Sequence, residues 1–214
     1  TAVETDDGQF YSWADLERAS AMMANLLDSL NIPKGSRVAV QVEKSVEAMM
    51  LYLATLRAGY VFLPLNTAYQ SAEIEYFIGN AEPAVVVCSS VNFGWVSKIA
   101  FKAGTQHVFT LNDDRTGSLL DRASNQSDQH TPASCQADDL AAILYTSGTT
   151  GRPKGVKWPM PDTPAGARTM LVQLLAPLFG YSRASRYLSP APLYHAAPLR
   201  HSMTVIKLGG EAGD

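Results

Sequence analysis

Residues 37–65 read RVAVQVEKSVEAMMLYLATLRAGYVFLPL, and two changes of period inside this stretch set the expected fold. Val38, Val40 and Val42 alternate, which predicts a strand over 37–42. Ser45 then opens a helix through Val46, Met49, Met50, Leu53 and Leu56, and Gly59 ends it. Residues 60–65 return to a short apolar run of strand type, followed by the turn-like pair Asn66 and Thr67. Upstream, Ser12 with Asp15 three residues on caps a helix over 12–30, whose Leu16, Ala19, Met23, Leu26, Leu27 and Leu30 recur at helical spacing. Pro33 and Gly35 break that pattern. Downstream, 71–79 reads as a helix, 84–88 as a buried strand, 91–103 as a weaker helix and 107–111 as another strand. Strands alternating with helices at these spacings predict an α/β fold, a mostly parallel sheet flanked by helices.

Composition agrees with a packed core. The chain has 214 residues, of which 46% are hydrophobic and 17% charged. That excludes disorder, which needs low hydrophobicity and high net charge. Seventeen Lys and Arg oppose twenty Asp and Glu, for a formal net charge of −3. With no basic stripe, no nucleic-acid partner is expected. No run of eighteen apolar residues occurs, so no membrane span is expected. Cys88 and Cys135 make no disulfide framework, which fits a reducing, cytoplasmic setting. The start, TAVETDDGQF, has neither Met nor a signal pattern. The closing LGGEAGD follows a strand-like run, so the sequence is read as a fragment.

Three stretches are expected. Residues 1–111 form a first α/β unit. Residues 112–139, rich in Asn, Asp, Ser, Gln and Thr, form a polar connecting loop with one short helix near 119–123. Residues 140–214 begin a second, incomplete sub-domain, entered through an apolar strand at 140–145.

That strand leads into YTSGTTGRPKGVK, residues 145–157. Glycines allow backbone amides to approach a ligand closely, and successive amides in such a turn form an anion nest. Thr146, Ser147, Thr149 and Thr150 add hydroxyls, while Lys154 and Arg152 supply positive charge. This donor set suits a polyphosphate. A flexible Ser/Thr/Gly surface turn is the plainer alternative. The pattern is not the familiar G-x-x-x-x-G-K-[ST] loop: Pro153 and Gly155 stand where Gly and Ser or Thr belong. Pro159, Pro161 and Pro164 then deny the long helix that such a loop leads into.

The string closely resembles the signature loop of the AMP-forming acyl-CoA synthetases and their adenylating relatives. Three further stretches resemble the same family in the same order: FYSWADL at 10–16, LRAGYVFLPLN at 56–66 and APLYHAAPL at 191–199. The resemblance implies the layered N-terminal lobe of an adenylate-forming enzyme. It implies a two-step reaction, in which a small-molecule carboxylic acid attacks the α-phosphate of ATP with Mg²⁺, and coenzyme A then displaces AMP from the acyl adenylate. It places Thr146, Ser147, Gly148, Thr149, Thr150 and Gly151 on the β- and γ-phosphates, with Lys154 as the charged partner. It places His195 beside the reacting carboxylate, to orient it or gate the pocket, with Tyr194, Ala196, Ala197 and Pro198 as neighbouring walls. Arg200 and His201 read as surface charges or, alternatively, as partners for a second carboxylate.

The substrate cues divide. Peptide-synthetase relatives normally place an Asp where Tyr194 and His195 stand, so an amino acid is disfavoured. Residues 43–69 look most like malonyl-type short-chain synthetases. Residues 187–203 and 154–161 look more like fatty-acyl-CoA ligases and lie nearer the acyl pocket. A fatty or other aliphatic acid is therefore preferred, with malonate as the alternative. The family's later acid-containing motif, ribose-binding Asp, hinge and C-terminal Lys do not appear, so the remainder of such an enzyme is an implied partner. A non-catalytic lobe is the rival reading, and a carrier protein in place of coenzyme A is a second one.

Overall fold

The computed structural model describes residues 1–136, 138–146, 154–155, 170–189 and 196–213. In chain order the elements are β1 (Val3–Glu4), β2 (Phe10–Tyr11), α1 (Trp13–Ser29), β3 (Arg37–Gln41), α2 (Val46–Arg57), β4 (Val61–Pro64), α3 (Ser71–Ala81), β5 (Val85–Cys88), α4 (Ser90–Lys102), β6 (His107–Thr110) and α5 (Ser118–Ala123). They continue with β7 (Tyr145–Thr146), β8 (Lys154–Gly155), α6 (Met170–Phe179), β9 (Arg186–Leu188), α7 (Ala196–Lys207) and β10 (Glu211–Gly213). Two compact units result. One comprises Arg18–Cys135 and Asp139–Val156; the other comprises Thr1–Glu17, Gln136–Asp138 and Lys157–Asp214.

The first of these units is a parallel sheet in the order β4-β3-β5-β6, with a helix in every crossover. Its local signals act as the sequence suggests. Ser45 caps α2, accepting from the Ala48 N–H at 3.1 Å. Such a cap satisfies one of the donors a helix start leaves open. Every residue of β4 and β5 is buried, as expected for strands covered on both faces. Ala39, Leu63, Val86 and Cys88 from the strands meet Ile74, Phe77 and Ile78 of α3 and Val96 and Ala100 of α4 in one cluster. Burying each large side chain there contributes roughly 1.5–3 kcal/mol. Gly117 closes the turn from β6 into α5. Its φ is 134°, and a Cβ there would lie 2.3 Å from the Thr110 carbonyl oxygen, so only glycine fits.

Part of the polar stretch after α5 is pinned down. Asn25 Nδ2 donates to the carbonyls of Ser127 (2.8 Å) and Gln129 (2.9 Å), and an Arg57 Nη donates to the His130 carbonyl (2.9 Å). The His130 side chain is only 4% exposed and its Nε2 lies 2.9 Å from an Asp28 carboxylate oxygen. A segment whose composition suggests a solvated connector thus bonds back to α1 and α2, while His130 Nδ1 is buried without a hydrogen-bond partner among the described residues.

The other unit carries a sheet in the order β2-β1-β10-β9, antiparallel only between β1 and β2. Val3 pairs with Ala212 and Glu211 with Arg186. Glu4 accepts from the Arg186 guanidinium. The strand-like run expected before LGGEAGD is instead the end of α7. Thr204, Val205 and Ile206 have strand propensity, but burial of Leu199, Ser202 and Val205 follows a three-residue interval, so packing on one helical face overrides it. Among the described residues, no helix is long and apolar enough to cross a membrane.

Candidate active site

The 140–146 segment reaches the Thr/Gly loop along the edge of the four-stranded sheet. Phe62 of β4 donates its N–H to the Ala141 carbonyl at 3.0 Å and accepts from the Ile143 N–H at 2.9 Å. A parallel bridge joins Phe62 and Ala142. The apolar run expected as a strand at 140–145 is thus a single bridge followed by the short β7. The chain then returns as β8, antiparallel to β7, with Tyr145 opposite Gly155 and Thr146 opposite Lys154. Two of the predicted phosphate ligands, Thr146 and Lys154, therefore stand paired at the feet of one ribbon. Ser147, Gly148, Thr149, Thr150 and Gly151 lie outside the described residues.

Tyr145 anchors this ribbon. Its ring packs against Phe77 of α3, centroids 4.6 Å apart and tilted by 48°. Its hydroxyl donates to Asn80 Oδ1 at 2.6 Å. Burial raises the Tyr145 pKa above its ordinary value, Tyr76 adds to this and Arg37 opposes it. The phenol is therefore held neutral as a donor. Tyr69 and Tyr76 flank the same Phe77 ring at 4.9 and 5.5 Å.

Of the acyl-pocket residues, Tyr194 and His195 lie outside the described residues. Ala196 and Ala197 open α7, and Ala197 is exposed. Pro198 follows in the first turn of α7, where its missing N–H costs nothing. His201 is packed among aromatic rings and is not a bare surface side chain. Its Nδ1 lies 3.0 Å from the Tyr181 hydroxyl, its ring stacks on Tyr187 at 5.9 Å and it meets the Phe179 ring edgewise at 4.9 Å. A cleft of about 690 Å³ lined by Trp13, Tyr181, Arg183, Ile206 and Lys207 contains none of the predicted site residues. Among the described residues, no group of three His, Cys, Asp or Glu is placed to hold a metal ion.

A parallel four-stranded sheet flanked by helices matches the N-terminal lobe of adenylate-forming enzymes. The chain belongs to the AMP-binding enzyme family, whose model matches residues 1–213. It is 28% identical over 190 residues to the long-chain-fatty-acid–CoA ligase FadD13 of Mycobacterium tuberculosis, covering 88% of this chain and 36% of that enzyme. It is 26% identical over 214 residues to the medium-chain fatty-acid–CoA ligase of Escherichia coli, covering 95% of this chain and 37% of that enzyme. Among solved structures, ATP-bound MatB from Rhodopseudomonas palustris superposes with a TM-score of 0.90 at 41% identity, covering 100% of this chain and 41% of that one. The chain thus spans little more than a third of the length of these two curated relatives.

Asn80 is absent from the sequence-derived site. It sits 65 residues before Tyr145, in a helix with no motif of its own, and no local pattern links the two.

Proposed function

We propose that this chain serves the ATP-dependent activation of a carboxylic acid, supplying the phosphate loop and part of the acyl-pocket wall of an AMP-forming acid–thiol ligase. The observation that carries this reading is the family match over 1–213, together with the pairing of Thr146 and Lys154 at the feet of the Thr/Gly loop. In this reading Thr146, Ser147, Gly148, Thr149, Thr150 and Gly151 donate to the β- and γ-phosphates, and Lys154 neutralises charge. Pyrophosphate leaves with growing negative charge, and donors fixed beforehand stabilise that charge as it develops. His195 orients the substrate carboxylate, which is already ionised near neutral pH and needs no general base. Tyr194, Ala196 and Ala197 line the acyl pocket. Mg²⁺ arrives with the nucleotide, and coenzyme A takes the acyl group as a thioester.

The acid is a fatty or other aliphatic one, on the resemblance of 187–203 to fatty-acyl-CoA ligases. Malonate is the second reading, favoured by the resemblance of 43–69 to malonyl-type synthetases. The test incubates a full-length enzyme that contains this chain with MgATP, hydroxylamine and octanoate, benzoate or malonate, following pyrophosphate and hydroxamate. Octanoate-dependent product is expected. Thr149→Ala should lower it by about 10²-fold with an unchanged circular dichroism spectrum, as for loss of an oxyanion donor. Malonate-dependent product alone would replace the first reading with the second. Absence of product with every acid would leave the non-catalytic lobe.

A further inference from the structure

The Thr/Gly loop needs a fixed platform, because donors stabilise a developing charge only when they are already in place. The described residues show what fixes its two ends. On the incoming side, Phe62 exchanges backbone hydrogen bonds with Ala141 and Ile143, at 3.0 and 2.9 Å, and so ties the segment to the edge strand β4. Those bonds lie two or more residues before the ribbon. At the ribbon itself the side chain of Tyr145 makes the link to the core. Its ring joins the cluster built around Phe77, itself 1% exposed, and its hydroxyl reaches Asn80 in the last turn of α3. Tyr145 also faces Gly155 across the ribbon, and Thr146 faces Lys154. One anchored side chain therefore sets both the outgoing and the returning foot of the loop.

We infer that the Tyr145–Asn80 hydrogen bond is a latch that positions the phosphate loop, with Tyr145 and Asn80 as positioning residues for nucleotide binding. The ring of Tyr145 supplies the packing, and the hydroxyl supplies the register. Tilted on Phe77, a ring alone can slide along the apolar surface of α3, whereas a directed bond to Asn80 fixes it at one depth. Asn80 is exposed, so its amide is not needed for the core; its carbonyl oxygen is the acceptor that matters. This inference rests on the reading of 145–157 as a phosphate loop, but its first consequence is a property of the ligand-free chain.

The test uses four variants of the whole chain: Tyr145→Phe, Asn80→Ala, their combination, and Asn80→Asp, which keeps an acceptor oxygen. Amide hydrogen exchange over 146–155 is measured without nucleotide, and MgATP affinity by calorimetry. Tyr145→Phe and Asn80→Ala should each speed exchange in the loop and weaken MgATP binding by about fivefold, the effect of one lost hydrogen bond. The double variant should be no worse than either single one. Asn80→Asp should behave as the parent. Exchange in α3 upstream of Asn80 should not change, which separates positioning from general destabilisation. Additive single effects, an Asp variant as impaired as Ala, or unchanged loop exchange in Tyr145→Phe would each overturn the latch. A parent chain that does not bind MgATP overturns the proposed function instead, while the exchange data still decide the latch.

Discussion

The two sheets of this chain are built by different means. In the β4-β3-β5-β6 sheet, strands consecutive in the chain are joined by single helices, and β3, β4 and β5 are buried along nearly their whole length. The β2-β1-β10-β9 sheet is made of strands two or three residues long, pairs Val3 with Ala212, and leaves Phe10 and Leu188 exposed. The first sheet follows from local sequence plus burial; in the second, the β1–β10 pairing that joins its two halves is gained only by closing a very long loop. The ribbon that carries Thr146 and Lys154 belongs to the unit of the first kind. In the proposed function, the loop therefore springs from the part of the chain that secures its own core.

The largest effect that could break this comparison is in the α3 core. Phe77→Ala should cost roughly 3–5 kcal/mol in urea unfolding, since it empties a fully buried aromatic site. Leu178→Ala, on a residue of α6 that is 67% exposed, should stay within about 0.5 kcal/mol. Similar losses at the two positions would erase the distinction.

A smaller effect sharpens it through pH. Burial pushes the Cys88 thiol from 9.0 up to about 12. The folded state then holds its proton where the unfolded chain has lost it. Stability from this group is complete below pH 9 and is lost as pH rises from 9.0 towards about 12, by roughly 1.4 kcal/mol per pH unit. Tyr60, raised to about 12 by burial and then by Asp28, adds its own loss above pH 10. Unfolding free energies across this range should fall for the parent, and Cys88→Ala should flatten the decline between pH 9 and 10. A parent chain of constant stability up to pH 11 would show that β5 is not sealed from water, on the same pKa argument.

How much of this was legible in the sequence follows the same division. The alternation in Val38 and Val40, the Ser45 cap and the apolar runs at 61–64 and 85–88 are local patterns, and each became the element expected. Val3–Glu4 and Glu211–Gly213 are too short to show a period, and their pairing spans almost the entire chain, so nothing local announces it. The end of α7 reads as a strand in sequence because Thr204, Val205 and Ile206 carry strand propensity, while the helical interval of buried residues depends on tertiary packing. Polar composition makes 112–139 read as a connecting loop, and within it Ser127 and His130 bond back to α1 and α2. At the site, composition leaves 145–157 between a phosphate loop and a flexible surface turn, and only the resemblance of the whole string to a family's signature loop favours the first. The acceptor for the Tyr145 hydroxyl was invisible, since an exposed Asn in a helix carries no signal of what reaches it.

In the proposed function the Thr/Gly ribbon of this chain receives the phosphates of ATP. Amide hydrogen exchange of the whole chain over 146–155, with and without saturating MgATP, tests it most directly. Slowed exchange in this segment on adding MgATP is expected, with loss of that protection in Lys154→Ala. Exchange over 146–155 that is the same with and without MgATP would contradict it.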